Sequence, residues 1–269
     1  MTVLDISGRV ALVTGASTGI GASIARRLLD AGVRVHGISR RADALAHVAP
    51  DAAREGRFIP HPLDVADTAA ARRLAEELAV SDPVDMLICA AGTNVPRRRF
   101  AELTDESFDE IMRTNLYGVF TLMSATLDQI RAAAGDIVLI SSVAAAWPDH
   151  SGAAYGASKS ALLGLARGAS RDEHGNGIRV CSILPGIVDT PILDKRPSPP
   201  PPEVREWAVD PDDIAEAVHL AVSLPPRTNL AEITVVATRL QSMGNTQQAT
   251  PELPPALVAG ATSEKGGPR

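Results

Sequence analysis

Aromatic side chains are scarce, at 3% of the 269 residues, so platforms for stacking nucleic-acid bases are not expected. Positive charge is not in surplus either. Lys and Arg number 26 against 32 Asp and Glu, a net charge of -6, which argues against a phosphate-backbone partner. Cysteine is limited to Cys89 and Cys181. Both sit in apolar runs, so buried free thiols are expected rather than a disulfide framework. No apolar run approaches the ~20 residues needed to cross a bilayer. The opening Met1-Thr2-Val3-Leu4-Asp5 shows no basic stretch leading into an apolar one. No cluster of residues with metal-ligand spacing is visible. The expectation is a soluble, cytoplasmic protein with no metal, no membrane contact and no nucleic-acid partner.

The chain does carry ordinary globular composition, 45% hydrophobic and 22% charged, and a length suited to one α/β domain. Short apolar runs alternate with helical periodicity, the pattern of βαβ units and a parallel sheet. Strands are expected at 10–13, 33–38, 86–89, 137–140, 178–183 and 233–236. A further strand at 58–63 contains Pro60 and Pro62, which lack ladder donors, so it must lie where those donors are not needed. Ile20, Ile24 and Leu28 recur every four residues and would bury one helical stripe, with Gly32 as its stop. Asp67, Thr104 and Asp210, the last followed by Pro211, have the chemistry of helix N-caps. The run 197–202, nearly all proline, is expected to be extended and not helical. The domain is expected over 1–240. From 241 to 269 the sequence turns polar and Gly/Pro-rich, and a tail that is mobile or used in subunit contacts is expected there.

Directly after the first strand comes Thr14-Gly15-Ala16-Ser17-Thr18-Gly19-Ile20-Gly21. Glycines there let the backbone turn tightly and approach a pyrophosphate whose charge rests on the following helix N-terminus. A glycine-rich turn alone is weak evidence, because many βα loops carry glycines for structural reasons. Here strand, turn and helix arrive in the order that binding requires. The second strand ends Ile38-Ser39-Arg40-Arg41. An acid there would accept the adenosine ribose hydroxyls, whereas arginine favours a 2′-phosphate. NADP is therefore expected over NAD, with Arg40 as the chief phosphate contact, joined by Arg41. The competing reading is that both arginines start a solvated helix.

Further along, Tyr155 and Lys159 lie four apart on one helix face. A free phenol has a pKa of about 10; a neighbouring ammonium lowers it toward the range of a useful acid or base. Ser141 and Ser142 follow the 137–140 strand, at the sheet edge where ligands bind. Asn115 falls inside a helical stretch, a poor place for asparagine unless its side chain has a task.

With these motifs the chain resembles the short, single-domain branch of the short-chain dehydrogenase/reductases, over roughly residues 8–236. The resemblance implies a doubly wound, Rossmann-like parallel sheet and a nicotinamide-dependent oxidoreductase acting on a carbonyl or alcohol. It implies a catalytic set of Asn115, Ser142, Tyr155 and Lys159, with Ser142 preferred to Ser141 because it precedes Tyr155 by thirteen positions. In that set Tyr155 would pass the proton to or from the substrate oxygen, and Ser142 would hydrogen-bond that oxygen. Lys159 would bind the nicotinamide ribose and lower the tyrosine pKa, while Asn115 would hold a relay water. The implied nucleotide contacts are Gly15, Ser17, Thr18, Gly19, Ile20, Gly21, Ser39, Arg40, Arg41, Asp64, Val65, Ala91 and Gly92. To these the resemblance adds Pro185, Gly186, Val188 and Thr190, with Tyr155 and Lys159 themselves. It also implies a homo-oligomer, a tetramer or dimer, and apolar residues on more than one face of the Tyr155 helix point the same way.

Two positions depart from the family pattern. Cys89-Ala90-Ala91-Gly92 stands where an Asn-Asn-Ala-Gly segment is usual, and Thr18 where many NADP-using members carry Arg or Lys. Substrate-choosing residues are sought in Trp147-Pro148-Asp149-His150-Ser151 and in the segment after Thr190. Trp147 could equally pack, and His150 be solvated. The Arg97-Arg98-Arg99 run has the charge to attract an anionic substrate, although such a run is usually a solvated face. A catalytically silent NADP-binding sensor or scaffold is the alternative function, but such proteins lose the tyrosine or lysine, and both are present. An epimerase or dehydratase of the longer branch would need a further substrate domain after residue 236.

Overall fold

The β-branched and aliphatic runs form one seven-stranded, all-parallel sheet: β1 (Val10–Thr14), β2 (Arg34–Ser39), β3 (Phe58–Pro62), β4 (Met86–Cys89), β5 (Asp136–Ile140), β6 (Arg179–Pro185) and β7 (Glu232–Val235). Their order is β3-β2-β1-β4-β5-β6-β7. Parallel neighbours need long crossovers, which the helices supply: α1 (Gly19–Asp30), α2 (Ala42–Ala46), α3 (Pro50–Arg54), α4 (Thr68–Ser81), α5 (Asp105–Met112), α6 (Gly118–Ala132), α7 (Ala153–Glu173), α8 (Pro202–Arg205) and α9 (Pro211–Ser223). This computed structural model describes residues 4–147 and 149–240. The tail read from the sequence at 241–269 lies outside the described residues.

The sheet is Rossmann-like and doubly wound, and its strands bury both faces. Ala11 and Val13 of β1, Met86 and Ile88 of β4, and Val138 and Ile140 of β5 join a core with α1 and α9. The alternate residues Leu12, Leu87, Cys89, Ile137 and Leu139 join the opposite core with α4, α6 and α7. This period of two explains why the strands read as continuous apolar runs. The strand order runs outward in both directions from β1 and β4. The crevice above their carboxyl ends is therefore the expected ligand position.

Every expected strand is present within two residues of its anticipated bounds. The proline-bearing β3 lies at the sheet edge. Leu63 N–H donates to the Ser39 carbonyl (3.0 Å) and Val35 N–H to that of Arg57 (2.8 Å), so odd-numbered residues of this segment face β2. Pro60 and Pro62 occupy the alternate positions, whose missing N–H would point off the open edge. The expected caps form as well. Asp67 accepts from Ala70 N–H, Thr104 from Ser107 N–H and Asp210 from Asp212 N–H. Gly32, at φ +79°, follows the end of α1. The proline run departs from expectation at its last member, because Pro202 opens α8. At the first helical position the absent N–H has no intrahelical partner to lose.

The amino-terminal rim of the sheet is locked by charge. Asp136 of β5, only 3% exposed, accepts from Arg9 (2.8 Å) and Arg179 (2.7 Å). Arg179 also donates to the carbonyls of Leu224 (2.6 Å) and Val222 (3.0 Å), where α9 ends.

Candidate active site

The cleft above the carboxyl ends of the strands encloses about 430 Å³, within the ~300–1,000 Å³ usual for ligand sites. Every residue read from the sequence as a nucleotide contact lines it, as do Ser142, Tyr155 and Lys159. Its floor is the glycine turn. Gly15 has φ +68° and Gly19 φ +53°, conformations that a residue with a Cβ rarely adopts. A Cβ at Gly15 would lie 2.9 Å from the Ala91 backbone, and one at Gly21 would lie 2.3 Å from the Gly15 carbonyl oxygen. The turn is thus compressed against both β4 and the first turn of α1. Thr18 makes no side-chain cap there, and the first turn of α1 holds no acid. Its N–H donors and positive dipole end are left to an anion.

The Asn-to-Ala departure after β4 is offset from the neighbouring strand. The Thr14 hydroxyl accepts from the N–H groups of Ala90 (3.1 Å) and Ala91 (3.0 Å). Sequence reasoning gave Thr14 no role beyond opening the glycine turn.

At the end of the cleft beyond β2, Ser39 donates to the Ser17 hydroxyl (2.7 Å). Arg41 reaches over the turn, its Nη2 donating to Thr18 Oγ1 (2.7 Å) and Ser17 Oγ (3.3 Å). A guanidinium therefore arrives at the Thr18 position from beyond β2. Arg40, the arginine favoured from the sequence, turns toward Asp64 at 3.8 Å and is 64% exposed. Of the two, Arg41 is the one bonded to the glycine turn. Gly118, opening α6, lets Val65 approach: a Cβ there would lie 2.6 Å from the Val65 carbonyl oxygen.

At the inner end, Tyr155 and Lys159 project from the first two turns of α7. Burial pushes the Tyr155 hydroxyl up to about 12; a hydrogen bond with Ser142 and the Arg196 and Arg98 charges pull it down, while Asp149 pushes it up. Lys159 is anchored on the sheet. Its Nζ donates to the Ile140 carbonyl (2.8 Å) and sits 5.7 Å from the centre of the tyrosine ring, and burial brings it down to about 8. The Ser141 hydroxyl donates to the Lys159 carbonyl (2.9 Å), tying β5 to α7.

Asn115 is fully buried behind the cleft wall. It sits in a π-helical turn, Arg113–Tyr117, between α5 and α6, an irregularity frequent at functional sites. Its Oδ1 accepts from Thr93 N–H (2.8 Å), and its Nδ2 donates to the Thr93 carbonyl and the Ser158 hydroxyl (3.0 Å each). The carboxamide joins the β4 loop to α7 directly, and this gives the mid-helix asparagine its task.

The Arg97–Arg99 run divides. Arg97 and Arg99 are exposed, whereas Arg98 is buried and lines the cleft beside Tyr155. In the loop before α7, Ser151 lines the cleft. Trp147 is half-buried and His150 exposed, and neither is among the lining residues. Lys195 and Arg196, in the segment after Thr190, also line it. No motif in the sequence singled out these two.

Among the described residues no helix is long and apolar enough to cross a membrane. Comparison with known proteins agrees with this architecture. The short chain dehydrogenase family matches over residues 9–200. An uncharacterized oxidoreductase from Staphylococcus haemolyticus is 34% identical over 236 residues, covering 86% of this chain and 98% of the relative. The mouse (3R)-3-hydroxyacyl-CoA dehydrogenase is 30% identical, covering 82% and 91%. Among solved structures, the alcohol dehydrogenase of the archaeon Thermococcus sibiricus, complexed with 5-hydroxy-NADP, superposes with a TM-score of 0.77. It is 29% identical, with 87% of this chain and 98% of that one covered.

Proposed function

The chain belongs to the short-chain dehydrogenase family, and from that premise we propose an NADP(H)-dependent oxidoreductase that interconverts a carbonyl and an alcohol with Tyr155 as general acid/base. One observation carries the reading: Tyr155 and Ser142 line the same cleft as a glycine turn in which no Cβ fits at Gly15 or Gly21. The turn fits a dinucleotide because Cβ atoms at Gly15 and Gly21 would collide with backbone, while the α1 N-terminus offers uncapped donors.

When bound, the dinucleotide supplies or accepts the hydride. The remaining work belongs to the chain. Ser142 and Tyr155 line one cleft, and a substrate oxygen bound there would accept a hydrogen bond from each hydroxyl. With its hydroxyl pushed up to about 12, Tyr155 is protonated at neutral pH and ready to donate as negative charge grows on that oxygen. Lys159, anchored on Ile140, sets its ammonium beside the ring and stabilises the phenolate left behind. Asn115 fixes the Thr93 backbone and the Ser158 hydroxyl around this pair. Arg41, with Ser17 and Ser39, reads the 2′-phosphate, and Arg40 contributes from the solvent side.

Tyr155→Phe tests the assignment. The variant should keep its fold and NADP(H) affinity but lose roughly 10²–10⁴-fold in turnover, the usual worth of general acid/base catalysis. Near-normal turnover of a carbonyl panel by this variant would remove Tyr155 from the chemistry. The same reading makes the protein a homo-oligomer. Of eight aromatic residues, Phe108, Tyr117 and Phe120 are 41%, 57% and 52% exposed along α5, the π turn and α6, a pattern that marks an association surface.

A further inference from the structure

The inner end of the cleft gathers positive charge in a chain that is negative overall. Arg98 and Arg196 line it near enough to Tyr155 for their charges to act on its hydroxyl, and Lys195 lines it against Thr93. The sequence has three lysines, and two of them, Lys159 and Lys195, line this cleft. Among the described lining residues the one carboxylate is Asp64, which belongs to the end beyond β2. Asp149 stands outside the lining, facing Arg98 and Arg196, with its oxygens accepting from the Ser151 N–H (2.8 Å) and hydroxyl (3.1 Å).

Arg98 is built into place. It is 6% exposed between two exposed arginines, and burying a guanidinium is costly unless hydrogen bonds and a facing charge offset it. Its Nε donates to the Val95 carbonyl (3.0 Å) and its Nη2 to that of Lys195 (2.6 Å). Gly152, just before α7, admits it: a Cβ there would lie 2.5 Å from the Arg98 carbonyl oxygen and 2.9 Å from its Cβ. One glycine thus presses the Arg98 backbone against the start of the helix that carries Tyr155. Lys195 in turn donates to Thr93 Oγ1 (3.1 Å), beside the backbone that Asn115 holds.

We propose that the substrate carries a carboxylate a few bonds from its reacting carbonyl, clamped by Arg98 and Arg196 with Lys195, so that the enzyme interconverts an oxo acid and a hydroxy acid. This rests on the oxidoreductase reading above. In the reductive direction an oxo acid, NADPH and one proton become a hydroxy acid and NADP+. The hydride adds to the carbonyl carbon, the C=O π pair moves to oxygen, and oxygen takes the Tyr155 proton, which solvent replaces. The carboxylate is spectator and handle. Two or three cations about one carboxylate also favour short acids, whose charge cannot sit elsewhere while the carbonyl meets Tyr155.

Paired probes test the clamp: pyruvate, acetoacetate and levulinate, each beside its methyl ester, reduced with NADPH by the full chain. At least one acid should exceed its ester in kcat/KM by roughly ten- to a hundredfold, the worth of a charge-assisted contact. Arg196→Gln and Lys195→Gln should shrink that ratio, chiefly through KM for the acid. Arg98→Gln also loses two backbone anchors, so it is not relied upon. Binding of butyrate and butyramide to the enzyme with NADP+, followed by calorimetry, gives a readout independent of turnover. Esters equal to or better than acids in all three pairs would overturn the clamp while leaving the oxidoreductase reading intact. Absence of any turnover would count against that reading, and calorimetry would then decide the clamp. Butyrate preferred over butyramide, with the preference lost in Arg196→Gln, upholds it. Equal or absent binding overturns it.

Discussion

Arg41→Ala separates the two arginines that follow β2. In the structure both Arg41 bonds use Nη2, to Thr18 at 2.7 Å and Ser17 at 3.3 Å. Its Nε and Nη1 hold none of these bonds, and either can give a phosphate oxygen a charge-assisted hydrogen bond. A charge-assisted hydrogen bond contributes about 1.5–3 kcal/mol, so removing it should weaken NADP(H) roughly 10- to 150-fold, at tenfold per ~1.4 kcal/mol. Arg40 is 64% exposed and 3.8 Å from Asp64. A solvated pair of this kind contributes about 0–1 kcal/mol, so Arg40→Ala should cost less than about fivefold. NAD(H), which has no 2′-phosphate, should bind both variants as it binds the parent. Titrating both nucleotides against the parent and the two variants, by fluorescence or calorimetry, gives six numbers. A parent preference for NAD(H), or equal losses of both nucleotides in Arg41→Ala, would refute the reasoning.

Three further outcomes follow from the same contacts. Asp136→Asn leaves two arginines facing a neutral amide at a site 3% exposed. Unfolding free energy should fall by about 3–5 kcal/mol, and a loss under about 1 kcal/mol in denaturant titration would contradict the lock. Because the Tyr155 hydroxyl is pushed up to about 12, the acid form persists through neutral pH and the base form grows as pH rises. Reduction should therefore stay level across neutral pH while alcohol oxidation climbs toward tenfold per pH unit; an oxidation rate that falls with rising pH would reverse the assignment. Tyr117→Glu combined with Phe120→Glu should lower the mass seen by solution scattering, whereas a parent protein already monomeric at micromolar concentration would remove the basis for an interface.

What the sequence disclosed was governed by periodicity and by local rules. The strands announced themselves because both faces are buried, and the caps because a side-chain oxygen sits two or three residues from the N–H it accepts. Even the edge position of β3 was contained in Pro60 and Pro62. Features that depend on long-range packing were hidden. Three adjacent arginines look alike in the chain, and only the gap left by Gly152, 54 residues after Arg98, decides which of them is buried. Arg40 was put ahead of Arg41 on paper, and nothing in the sequence shows that Asp64 draws it aside. Asn115 looked misplaced in a helix because a π turn leaves no mark in hydrophobic spacing. Lys159 was paired with Tyr155 by helix geometry, which is silent about the Ile140 carbonyl that holds its ammonium.

The Asp136 lock bears on how this chain tolerates change. Its two arginines and the carbonyls of Val222 and Leu224 bind β5, β6 and α9 at one rim, while buried Lys159 and Arg98, both costly to fold, and the left-handed glycines crowd the other. Mutations at the upper rim alter loops whose strands are already fastened from below. Mutations at the lower rim touch no ligand-facing residue and strike foldability alone. Robustness and innovation are therefore held at opposite ends of the same strands: new substrate preferences can be drawn from the upper loops so long as three side chains beneath, Arg9, Asp136 and Arg179, stay as they are.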